Sequence, residues 1–303
     1  MAWSPDTLPI RPGVYTRFQD EAQRSIQGGP RGIVAIPLLA YNGTAEPKKF
    51  YKVSRMSEAN QLFGADNIAS IRDAFDGGAS QVLVYTMPTS PLEDDYDDML
   101  EAFMTQDFNV FVLDREHDEA IQTKVVTWLS AMRNEDKHVL AVFGGDSSAD
   151  EEPEAGNARS TALADDYSVN LISGVEWLGN TYSSAEYAPY IAGLIAGTPI
   201  NQTITYKTVR ADDVTKRLKN SEIEDALEAG SLVLVNDGDR VRVEKGIVTT
   251  GQHIRSIVTR QTILNDLPRI LKFEAVAQID NTEDGRASVV SMIKRYLEML
   301  EQE

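Results

Sequence analysis

Residues 31–200 carry short apolar runs that alternate with stretches of helical periodicity. The apolar runs have the length and composition of strands buried on both faces, and they cover 32–38, 81–85, 108–113, 139–143 and 169–172. The stretches between them place apolar residues three and four positions apart, which predicts helices over 68–75, 93–105, 117–133 and 184–196. Repeated strand–helix–strand units predict an α/β fold, with a mostly parallel sheet flanked by helices.

The helix over 184–196 has a clear start. Ser183 or Ser184 is placed to cap it, and Glu186 lies in its first turn. Its small residues lie on one face that suits close packing: Ala188, Ala192, Gly193 and Ala196. Before this helix, residues 144–157 combine glycines with a run of acids, and the pattern predicts a solvated loop.

Beyond residue 200 the pattern becomes a mixture of helix and hairpin. Asn220 or Ser221 is expected to cap a helix that stops at Gly230. Residues 232–243 alternate on either side of Asp237-Gly238, which is the signature of a β-hairpin. The last helix is predicted over 286–302 and is amphipathic. We therefore predict an α/β core domain over 31–200 and a C-terminal α+β region over 201–303.

The first thirty residues lack the pattern of a packed core. Four prolines, at positions 5, 9, 12 and 30, remove backbone donors and favour extended conformations. Residues 11–18 alternate loosely, and Gly28-Gly29 before Pro30 is typical of a hinge. Residues 1–30 are therefore predicted to form an extended N-terminal arm that needs a pairing partner, and a frayed terminus is the alternative.

The amino-acid composition excludes several classes of binding partner and of chemical site. The 303 residues carry a formal net charge of −18, which argues against nucleic acid or an anionic membrane as the main partner. No apolar run approaches the ~18 residues of a membrane span, and the start has no signal-peptide pattern. The absence of cysteine excludes disulfides and thiolate metal sites, and it fits a reducing cytosol.

The charge is unevenly distributed. Residues 91–119 hold eleven acids and one base, whereas residues 201–272 hold twelve bases and ten acids. We expect these two regions to meet across neighbouring subunits and to respond to salt, because exposed charges are screened. An alternative of equal weight is that the acids only keep the protein soluble, since exposed ion pairs contribute little.

No motif in the sequence assembles a catalytic, cofactor or metal site. The three histidines, His117, His138 and His253, lie far apart and without ligand spacing. Residues 280–285 begin like a calcium loop, but the twelfth position is Ser291 where a bidentate Glu is required. No glycine-rich phosphate loop or Gly-x-Ser-x-Gly nucleophile elbow is complete. Because the fold class alone is compatible with many functions, an α/β hydrolase or a nucleotide-binding enzyme is kept as an alternative.

Several stretches in a fixed order resemble one family. They are Arg11-Pro12-Gly13-Val14-Tyr15 followed by 22–37, then 75–85 (Phe-Asp-Gly-Gly-Ala-Ser-Gln-Val-Leu-Val-Tyr), 191–206, 220–227 with 241–247, and 283–286. Together the chain resembles the sheath subunits of contractile tails, found in myophages and phage-tail-like bacteriocins. The sequence departs from the family pattern in two places. Many relatives insert an extra β-rich domain after the strand that matches 82–85, and only residues 87–92 stand there in this sequence. The family pattern also continues past the last helix into an extended strand that is not in this sequence, so the presence of a C-terminal linking arm is left as an open question.

The resemblance implies a structural subunit with no catalytic site and no cofactor. Such subunits stack as six-fold rings around an inner tube, and contraction drives the tube through a target envelope. The resemblance implies as partners further copies of the chain, the inner tube protein, and baseplate and tail terminator proteins, in a virion tail or tail-like particle assembled in the host bacterial cytoplasm. Another tail or baseplate component is an alternative.

The same resemblance suggests roles for individual residues. The inter-subunit arm would use Arg11, Pro12, Gly13, Val14 and Tyr15. Its hinge would be Gly28 and Gly29, and the candidate tube contacts on the last helix are Lys294, Arg295 and Glu298.

Overall fold

The computed structural model of the chain describes residues 31–276 and 278–302. Its strands are β1 (Ile33–Leu38), β2 (Phe50–Val53), β3 (Gln81–Thr86), β4 (Val110–Val112), β5 (Leu140–Phe143), β6 (Ser168–Leu171), β7 (Val175–Trp177), β8 (Asn180–Tyr182), β9 (Asp213–Val214), β10 (Ser231–Leu232), β11 (Leu234–Asn236) and β12 (Val241–Val243). The predicted arm over 1–30, with its 11–15 motif and its Gly28-Gly29 hinge, lies outside the described residues.

Helices connect and cover these strands. They are α1 (Met56–Phe63), α2 (Ala69–Gly77), α3 (Glu93–Phe103), α4 (Glu119–Asn134), α5 (Ser147–Glu151), α6 (Pro153–Ala162), α7 (Ser184–Gly197), α8 (Asn220–Glu228), α9 (Ile254–Ile270) and α10 (Glu283–Gln302), with a π-helical turn over Leu271–Ala275 directly after α9. In the part of the chain that is described, no helix is both long enough and apolar enough to cross a membrane.

Seven strands form the main sheet in the order β10-β6-β5-β4-β1-β3-β2. Six of them run parallel, and the edge strand β2 pairs antiparallel with β3. Strands β1, β4, β5 and β6 are buried along their whole length, as expected for parallel strands covered on both faces. The predicted α/β class and its mostly parallel sheet are confirmed.

Helices cover both faces of the sheet. Phe111 of β4 meets Phe103 of α3 and Trp128 of α4, with ring centroids 5.4 and 5.2 Å apart. Because neighbouring strand residues point to opposite faces, Val110 points to the other face of the sheet, and α7 packs against β4. Helix α2 packs closely on α7, where Gly193 approaches the Ala74 carbonyl. The small face predicted for this helix therefore does pack closely.

Two smaller sheets complete the fold. Strands β8, β7 and β9 form one antiparallel sheet, and β11 with β12 forms the predicted hairpin, with Leu234 opposite Val243. The outer edge of β12 is covered by residues 206–209, since the Tyr206 N–H donates to the Val243 carbonyl. Edge strand β10 joins the main sheet from beyond residue 200, and the predicted domain boundary at that residue stays a prediction.

The prediction of a solvated loop over 144–157 is wrong, because α5 and the first half of α6 lie in this range. The Asp146 carboxylate caps α5 by accepting from the Ala149 N–H at 2.8 Å, and Pro153 takes the first position of α6, where a missing N–H costs nothing. The expected cap of α8 is also wrong by one residue: Lys219 precedes the helix, and its N–H donates to the Glu222 carboxylate.

Candidate assembly interface

Helix α9 is fastened to the amino edge of the main sheet by polar side chains. Asn265 makes two hydrogen bonds to the backbone of His138, just before β5: its amide oxygen accepts from the N–H at 2.9 Å, and its NH₂ donates to the carbonyl at 2.8 Å. One turn earlier, buried Gln261 donates to the Asn109 carbonyl, just before β4, at 2.8 Å. These bonds satisfy backbone groups where the sheet ends and fix the position of α9.

Helix α10 packs back on α9 through one face. Tyr296 and Leu300 are buried against Ile270 of α9, and further contacts come from Ile200, Ile263, Leu267, Met292 and Met299. The Tyr296 hydroxyl donates to Asp266 of α9 at 2.6 Å. Burial, and then the bond to Asp266, raise the pKa of Tyr296 above its ordinary value, so the hydroxyl stays a donor. This face of α10 is therefore occupied within the subunit.

Another face of α10 exposes apolar side chains. Val290 is 65% exposed and Leu297 42% exposed, and together with Ile293 they line an open groove. The spacing of three and four residues makes them one stripe along the helix. Exposed apolar side chains in a contiguous stripe are typical of an interaction surface.

The three candidate tube contacts lie on this same helix and are exposed. Lys294 and Glu298 border the groove and lie 3.8 Å apart as an i,i+4 ion pair, and Arg295 is also solvent-exposed. An exposed pair of this kind contributes little to the stability of the subunit. The structure thus leaves these side chains accessible, and their role in binding a tube stays a prediction.

Acids at the start of α3 meet lysines of the same chain. Lys48 lies 2.9 Å from both Asp95 and Asp98, and Lys124 contacts Glu93 and Asp97. A hydrogen bond from the Leu92 N–H, and then the Lys48 ammonium, hold the pKa of Asp95 below its usual value. Part of the acidic excess over 91–119 is therefore neutralised inside the subunit.

At the carboxyl edge of the sheet, where α/β enzymes place their ligands, the polar groups hold the fold together. Asp114, after β4, is half-buried, and it accepts from the Leu39 N–H at 2.9 Å and from the Ser70 hydroxyl. Burial raises the pKa of Asp114. Ser184 donates its hydroxyl to Asp150 at 2.5 Å and accepts from the Gly145 N–H at 2.7 Å. Over the described ranges, no three His, Cys, Asp or Glu side chains group as a metal site.

The described chain is an α/β protein with a mostly parallel sheet, and its helix α10 exposes an apolar stripe. The family model described as "Phage tail sheath protein central domain" matches residues 92–249, just over half of the chain. The chain belongs to the phage tail sheath protein family, and the resemblance seen in its sequence is confirmed.

Individual relatives agree with this assignment. A tail sheath protein of Clostridium phage phiCD119 is 26% identical over 96% of this chain and 80% of its own length. The solved sheath tail protein of Desulfitobacterium hafniense has a TM-score of 0.79 at 19% identity, covering 96% of this chain and 89% of that one. A subunit of the anti-feeding prophage helical sheath in its contracted state has a TM-score of 0.68 at 15% identity, covering 96% and 83%. The chain is thus similar to sheath proteins of phage tails and of contractile injection systems.

Sequence reasoning predicted α10 but predicted neither helix α9 nor its contacts with the sheet. The available signal was a pair of amides, Gln261 and Asn265, spaced i,i+4 on a helix face that also carries buried Ile257. Their partners are backbone groups at the starts of distant strands, which no local pattern predicts.

Proposed function

We propose that this chain is the polymerising subunit of a contractile sheath. It stacks as six-fold rings around an inner tube, and contraction of the stack drives the tube through a target envelope. The observation that carries this proposal is the likeness of nearly the whole chain to a subunit of a contracted helical sheath, together with membership of the sheath family. A tube of identical subunits needs heterologous contacts that do not close on themselves.

The N-terminal segment supplies one such contact. Residues 11–15 pair as an added strand with the sheet of a neighbouring subunit, and Gly28 and Gly29 let this arm change direction when the sheath contracts. The proline-marked sequence supports this role, because prolines disfavour a helix and leave the chain extended. Main-chain pairing then supplies the affinity.

Helix α10 supplies the contact with the inner tube. Lys294, Arg295 and Glu298 offer charges to the tube protein, and the neighbouring stripe of Val290, Ile293 and Leu297 offers apolar surface. An apolar centre with a charged rim is the usual layout of a protein interface.

The proposed role needs no cofactor and no catalysis. Other copies of the chain, the tube protein, and baseplate and tail terminator proteins are the partners, and assembly takes place in the host bacterial cytoplasm. The relatives named above are structural sheath proteins, which supports a structural role for this chain.

Electron microscopy of the purified full chain tests the proposal. Tubes or stacked rings are the expected result. A variant without residues 1–29 should stay folded and monomeric, because it keeps the described core but loses the arm. Normal tubes from this deletion would show that the arm is not the linker, and persistent monomers of the full chain with hydrolase activity would overturn the sheath role.

Tube binding is tested separately with one apolar residue of α10. Leu297→Asp places a charge in the exposed stripe, and we expect co-sedimentation with the inner tube protein of the same particle to weaken at least about tenfold. Leu178→Asp is the matched control, since Leu178 is 73% exposed on the turn between β7 and β8. Equal binding by both variants would place the tube on another surface.

A further inference from the structure

We propose that Asp266 couples the start of β1 to helix α10, so that displacing either element weakens the hold on the other. The inference rests on the proposed function, in which the arm before β1 and the helix α10 both contact neighbouring proteins. One carboxylate would then join the two parts of the subunit that are expected to move against neighbours.

The coupling centres on the carboxylate of Asp266. Asp266 Oδ2 accepts from the Tyr296 hydroxyl at 2.6 Å and lies 3.6 Å from Arg31 Nη2. Asp266 is 5% exposed and Tyr296 is fully buried. A buried carboxylate that loses one of its partners is costly, so the two contacts depend on each other.

Arg31 is firmly held at the point where the chain enters the sheet. Its carbonyl accepts from the Ser80 hydroxyl at 2.9 Å, and the next carbonyl, of Gly32, accepts from the Ser80 N–H at 2.9 Å. The Ile33 N–H then donates to the Asn109 side chain at 2.9 Å. A force on the preceding segment therefore acts directly on the residue that contacts Asp266.

In helix α10, the hydrogen bond from Tyr296 to Asp266 lies within the apolar contact with α9. The buried side chains of this helix pack on α9 and on Ile200, while its opposite stripe faces solvent. The hydrogen bond from Tyr296 constrains the rotation of α10 on α9, because the hydroxyl must stay directed at Asp266. A shift of Asp266 would accordingly turn the exposed stripe that carries Leu297.

Hydrogen exchange on the unassembled full chain tests the coupling. In Arg31→Gln, amides of α10 are expected to exchange about tenfold faster, although residue 31 lies on a different element. In Tyr296→Phe, the first amides of β1 should exchange faster by a similar factor. The double variant should show less than the product of the two effects, because both changes disrupt the same carboxylate site.

Tyr96→Phe is the matched control, since the Tyr96 hydroxyl donates to Glu116 at the same 2.6 Å in another part of the fold. It should change exchange near α3 and leave β1 and α10 unchanged. Effects confined to the mutated element, or effects that multiply in the double variant, would overturn the coupling. The measurement needs no assembly, so persistent monomers with hydrolase activity would overturn the sheath role without changing this result.

Discussion

Asp150 is a carboxyl group held inside the protein at the end of α5. It is 4% exposed, and Ser184 donates both its N–H and its hydroxyl to it, at 2.6 and 2.5 Å. Burial raises the pKa of Asp150 to about 6, although the Ser184 bonds oppose the rise. The folded protein therefore binds this proton more tightly than the unfolded chain does, and the favourable contribution is lost as the pH rises through about 6.

This shift predicts an unusual pH dependence at one residue. Between pH 4 and pH 7 the wild type should lose up to about 3 kcal/mol of unfolding free energy relative to Asp150→Asn, which does not titrate. Urea unfolding of both proteins at each pH measures the difference. Asp213→Asn is the control. The hydrogen bond from Arg217 lowers the pKa of Asp213 to about 2, so the unfolding free energy of this variant should differ from that of the wild type in its pH dependence mainly below pH 4. Parallel curves for the wild type and Asp150→Asn would contradict the prediction.

At the scale of elements, α2 and α7 cross closely because glycines lie at their contact. A Cβ on Gly193 would overlap the Ala74 carbonyl, a backbone group that cannot move aside, whereas a Cβ on Gly156 of α6 would lie 2.7 and 2.8 Å from Cγ2 and Cβ of the Ile172 side chain. We expect Gly193→Ala to cost about 2 kcal/mol net of its better helix propensity, and Gly156→Ala to cost less, because it overlaps a side chain and not a carbonyl of the main chain. Chemical denaturation compares the two, and equal stability would show that α2 and α7 can move apart freely.

The elements predicted from sequence are those whose signals are local. The hairpin of β11 and β12 follows from Asp237-Gly238, and α7 follows from Ser183, whose hydroxyl accepts from the Glu186 N–H at 3.3 Å. Helices α5 and α6 were missed because their starting residues, Asp146 and Pro153, lie among acids and glycines that are equally typical of loops. Strands β7 to β9 have two or three residues each, too few for alternation to be visible.

The candidate assembly interface likewise has features that the sequence predicts and features that only the structure shows. In its exposed half, the sequence predicted α10 as an amphipathic helix and the family resemblance suggested Lys294, whereas the exposed stripe of Val290, Ile293 and Leu297 is seen only in the structure. Its inner half, the contact of Asp266 with Arg31 and Tyr296, joins residues from three elements, and only the tertiary fold brings them together. Sequence patterns report which face of a helix is apolar, but not which distant strand that helix covers.

At the scale of the whole molecule, the net charge of −18 is partly balanced inside the subunit. Besides the α3 pairs, several bases of the C-terminal region meet acids of the same chain: Arg210 with Asp73, Arg217 with Asp213, Arg242 with Glu244, and Arg260 with Asp166. Arg255, Arg269 and Lys272 are exposed on or just after α9, and Asp94 and Glu101 are exposed on α3. These charged groups are accessible on the surface of the described chain.

Contacts between such charged groups across subunits predict that the extended sheath weakens as salt is added. The distance over which charges interact falls from about 10 Å at 0.1 M salt to about 3 Å at 1 M, so the sedimentable fraction of sheath should fall severalfold over that range. Lys272→Glu should reduce assembly at low salt and flatten its salt dependence. Lys52→Glu, the same charge reversal on the exposed edge strand β2, is the control and should change neither. If sheath length and stability stay constant up to molar salt, and both variants assemble alike, the acids serve solubility and subunit contacts rest on arm pairing and apolar surface instead.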